Sequence, residues 1–461
     1  MVNDGNSRRD VSNDGNESSG RGVRRRAFLR ASGAGVAGVT LAGCVSTGGG
    51  DGDGGSDGSG NGGGDGNTTG TTTGSSGGGS LPSTVKLGVL APEPSNNPIG
   101  ASIANGAKLA AMQLNEEGSG PEFEVVVKDT KEQPDTGRSK YRELTIGEEV
   151  DMTTGIFTSE VLLAVLGDIA EQQTVHMTTG AATPEASSRV NENYDQYKYH
   201  FRTGPLNAYQ LGVNMVDFLT AKQQSLGWES VAVLVEDYEW TKPVSKALDE
   251  RLGDTGVEIA MRQRYASGTQ NFTPIFDQVE SSGADAAFIA MAHTGTPAVV
   301  SWAQEQRPFH FGGIHVPMQL PQYYQLTDGA CNFGVTQNSA TPKSEVTKKT
   351  VPFANAYNEE FGSYPVYTGY ITFDAVKQYA EVISQAGSVE ADPVIQGLEG
   401  SSYTGTTGTV EYYPKDDEFA HDVVYADGKV DPVYMQWQDG DQEVIYPDAL
   451  ATADYKAPSW L

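Results

Sequence analysis

Cysteine is almost missing from this sequence: Cys44 and Cys331 are the two in 461 residues. No network of disulfides can hold such a chain together, so it must rely on its core. Basic residues are scarce too, with 31 Lys and Arg against 60 Asp and Glu and a formal charge of −29. That balance excludes a nucleic-acid face, which needs cations against phosphate. The acids are spread along the whole chain, so they repel one another unless salt intervenes. Near 1 M salt the Debye length falls to about 3 Å, which points to a salt-rich, halophilic setting. Long apolar runs are also lacking. The stretch Ala31 to Gly43 is too short and too Gly-rich for the ~20 residues of a spanning helix. Catalytic signatures are missing as well. Outside the Gly-rich tract before residue 80 there is no G-x-S-x-G, and nowhere is there an H-E-x-x-H or C-x-x-C. The histidines are scattered, and the pair His310 and His315 has no third ligand nearby in sequence. Neither a metal, a cofactor nor an enzymatic reaction is therefore expected.

What is present starts with targeting. Arg25-Arg26-Ala27-Phe28-Leu29-Arg30 resembles the twin-arginine export pattern, and Leu41-Ala42-Gly43-Cys44 resembles a lipobox. The resemblance implies a signal over 1–43 that is cleaved before Cys44, whose thiol then carries lipid. Gly33, Gly35 and Gly38 spell G-x-G-x-x-G, but no strand precedes them and they lie inside the signal. With Cys44 lipidated, Cys331 has no partner and reads as a small apolar residue. Residues 44–83 are Gly, Ser, Thr and Asp-rich, a tether reaching roughly 35 Å r.m.s.. Asn67 and Asn271 open glycosylation sequons.

From Val85 onward, strand-like and helix-like stretches alternate without hairpin signals, which predicts α/β architecture with largely parallel sheets. The organising stretch is Met152 to Glu185. Gly155-Ile156-Phe157 ends one strand, and Val161/Leu162, Val165/Leu166 and Ile169 mark a helix face. Val175 to Thr179 forms the next strand, and Gly180-Ala181-Ala182-Thr183 opens another helix with Pro184 in its first turn. Both loops then fall at the carboxyl ends of parallel strands, where open sheets bind ligands. Ser159 and Thr183 either cap their helices or meet a small polar group there. After Pro205 the same grammar restarts with Val231 to Val235, Val257 to Tyr265 and Ala286 to Ala292 as strands. Helices over 351–361 and 368–385 and strand-like pieces at 408–412 and 433–437 complete the chain.

Taken in order, Lys86-Leu87-Gly88-Val89-Leu90, Asn105-Gly106-Ala107, Gly155 to Glu160, Gly180 to Glu185, Phe201-Arg202-Thr203, Val235-Glu236-Asp237-Tyr238 and Phe373-Asp374-Ala375-Val376 resemble one family. It is the extracellular solute-binding proteins of ABC importers, in the class taking branched-chain amino acids, amides and urea, here in the form of a haloarchaeal lipoprotein. The resemblance runs from about Val85 to Pro447. It implies a two-lobed type I periplasmic-binding-protein fold, each lobe a mostly parallel sheet flanked by helices, with three hinge crossovers near Pro205, Pro321 and Asp427. Lobe 1 would comprise 84–205 and 321–427, and lobe 2 would comprise 206–320 and 428–461. It further implies a small-molecule ligand, an ABC permease and ATPase as partners, a monomer, and attachment to the outer face of the membrane through Cys44. Thr158, Ser159, Ala181, Ala182 and Thr183 would grip a ligand carboxylate, and Tyr238 would cover it from the other lobe. Two positions depart from the family. Ile99-Gly100 stands where an aromatic is common, and Ala292-His293-Thr294-Gly295-Thr296 lacks the acid that would pair a ligand ammonium. A missing partner for a buried charge costs about 3–5 kcal/mol. An amino acid, an amide, a keto acid and another carboxylate stay open, with Glu236 or Asp237 as alternative charge partners, and His293 either a satisfied histidine outside the site or a further contact. A sensing receptor module of the same fold is the alternative to import.

The charge balance generates a test. The folded portion is expected to melt at a higher temperature in molar salt than in dilute buffer, followed by circular dichroism. A melting temperature indifferent to salt would remove the salt-rich reading.

Overall fold

Val85, Leu87, Val89 and Leu90 have no exposed surface, and the strand they build, β1 (Thr84–Ala91), lies inside a sheet of five. Its companions are β2 (Glu122–Asp129), β3 (Met152–Gly155), β4 (His176–Thr178) and β5 (His200–Arg202). The order is β2-β1-β3-β4-β5, and every pairing is parallel. Helices carry the chain between them: α1 (Pro98–Glu117), α2 (Pro134–Arg142), α3 (Ser159–Gln172), α4 (Glu185–Glu192) and the short α5 (Tyr194–Tyr197). The computed structural model describes residues 81–461. The expected signal, Cys44, nearly all of the tether and Asn67 lie outside the described residues.

A second lobe follows, with α6 (Ala208–Leu226), β6 (Ser230–Asp237), α7 (Thr241–Arg251), β7 (Glu258–Ala266), α8 (Thr273–Ser282), β8 (Ala286–Met291), α9 (Gly295–Gln304) and β9 (His310–His315). After the short α10 (Tyr323–Leu326) comes β10 (Val335–Asn338). The chain then returns to the first lobe through α11 (Thr350–Phe361), α12 (Tyr367–Ala386), α13 (Ala391–Glu399) and a two-residue hairpin of β11 (Tyr403–Thr404) and β12 (Thr409–Val410). α12 lies close against α1: a Cβ on Gly106 would fall 2.5 Å from the Gly369 carbonyl oxygen. The chain ends in β13 (Val433–Gln438) and β14 (Asp441–Tyr446) on the second sheet. That sheet has the order β14-β13-β10-β9-β8-β6-β7, parallel except where β13 pairs with β10 and β14.

Two expectations are corrected here. The second crossing does not fall near Pro321, because β10 still belongs to the second sheet, pairing Val335 with Gly312 and Gln436. Val-Thr-Gln-Asn has too little apolar character to announce a strand, so the crossing comes after Asn338. β14 was not anticipated, although Asp439-Gly440 signals its turn. Both residues have positive φ, 55° and 98°, as a tight hairpin requires. The final residues lie over β13: Gln436 exchanges hydrogen bonds of 2.8 and 2.9 Å with Lys456, and the Trp460 indole donates to the Arg307 carbonyl at 3.0 Å.

The first crossing is tied to the third. Beyond β5, Arg202 N donates to His421 O at 2.9 Å and Val423 N to Arg202 O at 3.0 Å. The Arg202 Nε donates to Asp422 Oδ1 at 2.8 Å, with both side chains fully buried, and Asn207 donates to the other carboxylate oxygen at 2.9 Å. Arg202→Met, which strands Asp422, is expected to lower stability by about 3–5 kcal/mol. Adding Asp422→Leu should recover a large part of it in chemical denaturation. Equal losses in the single and double variants would show that the charge pair is not the cause.

Candidate functional site

In each sheet the strand order reverses beside the first strand, and the cleft between the lobes lies at the carboxyl ends of these strands. β3 ends at Gly155, whose φ of 104° brings a notional Cβ 2.2 Å from the Leu90 carbonyl oxygen, so only glycine turns here. Ile156 follows with φ 60° and is fully buried beneath the loop. Thr158 then caps α3 by backbone alone: its side chain makes no capping bond. Thr158 and Ser159 are 9% and 2% exposed, and neither hydroxyl oxygen has a hydrogen-bond partner. A buried hydroxyl left unpaired costs about 1–3 kcal/mol, so two side by side in a cleft call for an external partner. They stand at the first turn of a 14-residue helix, where free N–H groups and the helix dipole favour an anion.

The loop after β4 lies against this one. A Cβ on Gly180 would come within 2.8 Å of the Ile156 carbonyl oxygen. Ala181 N donates to that same oxygen at 2.9 Å, and the Arg202 guanidinium holds the carbonyls of Ala181 and Thr183 from behind, the latter at 2.5 Å. The Thr183 hydroxyl accepts from Glu185 N at 3.3 Å, closing the turn that leads into α4.

The second lobe contributes loops after β6 and β8. Tyr238 and Trp240 come from the first, Ala292 and His293 from the second. Glu236, fully buried at the end of β6, accepts from the backbone N–H groups of Ala292 at 2.8 Å and His293 at 2.9 Å, from the Thr294 hydroxyl at 3.0 Å, and pairs with His293 Nδ1 at 2.9 Å. Burial would raise the pKa of Glu236, but His293 and these N–H groups hold it below the usual range. The His293 ring stacks on Tyr238 with centroids 3.9 Å apart at 11°. Burial and the neighbouring carboxylates of Glu160, Glu132 and Glu236 push the Tyr238 phenol up to about 12. Phe157, Ile314, Val316 and Tyr367 make the walls largely apolar, and the cleft contains about 600 Å³ including its opening. At the far end Gln319 Nε2 donates to Gln337 O at 2.7 Å while its own amide oxygen is buried and unpartnered. Two hydrogen bonds join the lobes beside the cleft, from Glu239 N to Glu160 Oε1 at 3.4 Å and from Ala208 N to Ala182 O at 2.6 Å.

Of the residues singled out in the sequence, Thr158, Ser159, Ala182, Tyr238 and His293 meet at this cleft. Ala181 and Thr183 do not face it: the N–H of one and the hydroxyl of the other are already bonded within the loop. Glu236 is fully engaged, and Asp237 is exposed and paired with Arg264 at 2.8 Å, so neither is a free acid for a ligand. Glu160, Trp240, Gln319, Gln337 and Tyr367 escaped sequence reading. Trp240 follows Tyr238 closely enough to have been found; the two glutamines arrive by tertiary packing and carry no local signal. Among the described residues no cluster of three His, Cys, Asp or Glu could hold a metal, and no helix is long and apolar enough to cross a membrane. His310 and His315 are engaged structurally, with Tyr455 and with the Met318 N–H. Cys331 is buried and free, its thiol pushed up to about 12 by burial.

A model of the periplasmic binding protein family matches residues 84–431. The Leu/Ile/Val-binding protein homolog 7 of Brucella abortus is 23% identical over 400 residues, covering 82% of this chain and 96% of that protein. Among solved structures, the isoleucine complex of a branched-chain amino acid transporter substrate binding protein from Streptococcus pneumoniae superposes with a TM-score of 0.65 at 17% identity, covering 79% of this chain and all of that one (100%). A solute binding protein of an ABC transporter from Rhodopseudomonas palustris, in complex with 3,4-dihydroxybenzoic acid, gives 0.64 at 20% identity over 78% and 95% of the two chains.

The unpaired hydroxyls separate two readings of the α3 start. If Thr158 were a side-chain cap, Thr158→Val would destabilise by roughly 0.5–2 kcal/mol. With no bond to lose, Thr158→Val and Ser159→Ala are instead expected to leave the ligand-free protein as stable as before or more so, measured by denaturant unfolding.

Proposed function

The chain belongs to the periplasmic binding protein family, and from that premise we propose that it is the solute-binding component of an ABC importer. It captures a small carboxylate-bearing solute between its lobes and delivers it to a membrane permease driven by an ATPase subunit. The observation that carries this reading is the pair of buried, unpartnered hydroxyls of Thr158 and Ser159 at the α3 N-terminus, opening into the cleft. An anionic group there would receive two O–H donors and the first N–H groups of the helix. Ala182 shapes the same wall, while Ala181 and Thr183 support it through Arg202. Tyr238 and Trp240 reach across from the other lobe and shield the solute from water, which closure by a hinge motion would complete. The lobes in this reading are 84–205 with 339–427, and 206–338 with 428–461.

The protein holds and hands over its solute without converting it. We place it as a monomer on the outer face of the cell membrane, attached through lipid on Cys44 after twin-arginine export, and adapted to high salt. The relatives named for leucine, isoleucine and valine make a branched-chain amino acid the first solute to try. A neighbour solved with 3,4-dihydroxybenzoic acid, together with the aromatic walls here, makes an aromatic acid the second.

The test is a thermal-shift screen in molar salt, with branched amino acids, short amides, urea, and keto, hydroxy and aromatic acids. Solute at a hundredfold excess over its dissociation constant should stabilise by about 2.7 kcal/mol and be recovered unchanged. Chemical consumption of the solute, or silence from every compound, would sink the proposal.

A further inference from the structure

The cleft lacks the free acid that would meet a ligand ammonium in the second lobe, and it holds a histidine instead. Of the residues lining it, Glu160 is the one carboxylate, and it sits on the first lobe beside Ser159. Glu236 is closed off by the loop over 292–294, and Asp237 by Arg264. His293 is held by two constraints at once: Nδ1 to Glu236 at 2.9 Å, and its face against Tyr238 at 3.9 Å. Among the described residues nothing bonds Nε2, which is therefore the ring atom left for the cleft. His293 lines the cleft, with 26% of its side chain exposed.

We propose that His293 supplies the cation of this cleft, so that the solute is a carboxylate with no ammonium of its own: a keto, hydroxy or aromatic acid rather than an α-amino acid. The inference rests on the solute-binding reading above and specifies its ligand class. An α-ammonium group held near Thr158 and Ser159 would find no free carboxylate in the second lobe and would face an imidazole ringed by acids that already serve it. A carbonyl or hydroxyl oxygen in the same place would instead accept a hydrogen bond from Nε2–H of the charged ring. Burial opposes charge on His293, but its bond to Glu236 and the fields of Glu236, Glu132 and Glu160 hold its pKa above the usual value. Those carboxylates come from β6, the loop before α2, and α3; Tyr238 is the other titratable group against the ring. The apolar walls suit the branched or aromatic remainder of such an acid, and the free Gln319 amide oxygen would accept from a hydroxyl at its far end.

The experiment is calorimetric titration of the folded protein in molar salt with matched pairs: leucine against its α-keto analogue, and phenylalanine against phenylpropanoate. The ammonium-free member of a pair should bind roughly tenfold tighter or more. Its affinity should weaken as pH rises through the titration of His293, because the charged ring is the donor. His293→Gln should abolish both the preference and the pH dependence; if that variant does not fold, the pairs on the native protein decide alone. An amino acid that binds as tightly as its partner overturns the inference and leaves the solute-binding reading intact. Binding by none of the four removes the inference, while the solute-binding reading falls only with silence across the wider thermal-shift panel.

Discussion

One guanidinium lies behind much of what the cleft does. Arg202 is the last residue of the last strand in the first sheet, and it has no exposed surface. Its Nε meets Asp422 from the returning chain, and its other nitrogens meet the carbonyls of the loop after β4. Only arginine has a planar fork of five donors that can serve a carboxylate and two carbonyls together. Asn207, on the first crossing, takes the remaining carboxylate oxygen. Sheet edge, two crossings and one loop at the cleft thus share a single set of charge-assisted bonds. Such a network is costly to bury and worse to leave incomplete, so its members constrain one another.

The alternation of strand and helix was legible because parallel strands buried on both faces read as apolar runs, and Val231 to Val235 and Ala286 to Met291 are of that kind. β10 was not legible. Val335 to Asn338 is fully buried yet three-quarters polar, with Thr336 bonded to His315 and the Gln337 carbonyl to Gln319. A strand whose polar side chains are satisfied by tertiary partners leaves no periodic trace. The site divides in the same way. Thr158, Ser159 and Tyr238 were visible because they directly follow strand ends in sequence. Gln319 reaches the cleft from the turn after β9, Gln337 from β10 and Tyr367 from α12, which only the fold brings together. Ala181 and Thr183 were legible as loop residues, but their bonding to Ile156 and Glu185 was not.

The buried carboxylates of Asp374 and Glu236 are heavily bonded. Asp374, fully buried in α12, accepts from the N–H and hydroxyl groups of Thr406 and Thr407. Burial still raises its carboxyl to about 6. Glu236 is likewise saturated. Other buried polar atoms also lack a partner, among them the Tyr141, Ser187 and Tyr370 hydroxyls, but the two at the start of α3 adjoin one another and line the cleft, and it is there that a polar group left open can serve function.

The two ends of the described chain belong to different lobes. β1 opens the first sheet at Thr84, whereas the last residues lie across β13, held through Gln436 and by Trp460 against Trp302 at 5.2 Å. A donor fluorophore placed just before Thr84 and an acceptor just after Leu461 would therefore ride on opposite sides of the cleft. Their energy transfer would follow the opening angle of the lobes, which makes the native chain a ready scaffold for an optical sensor of its own solute.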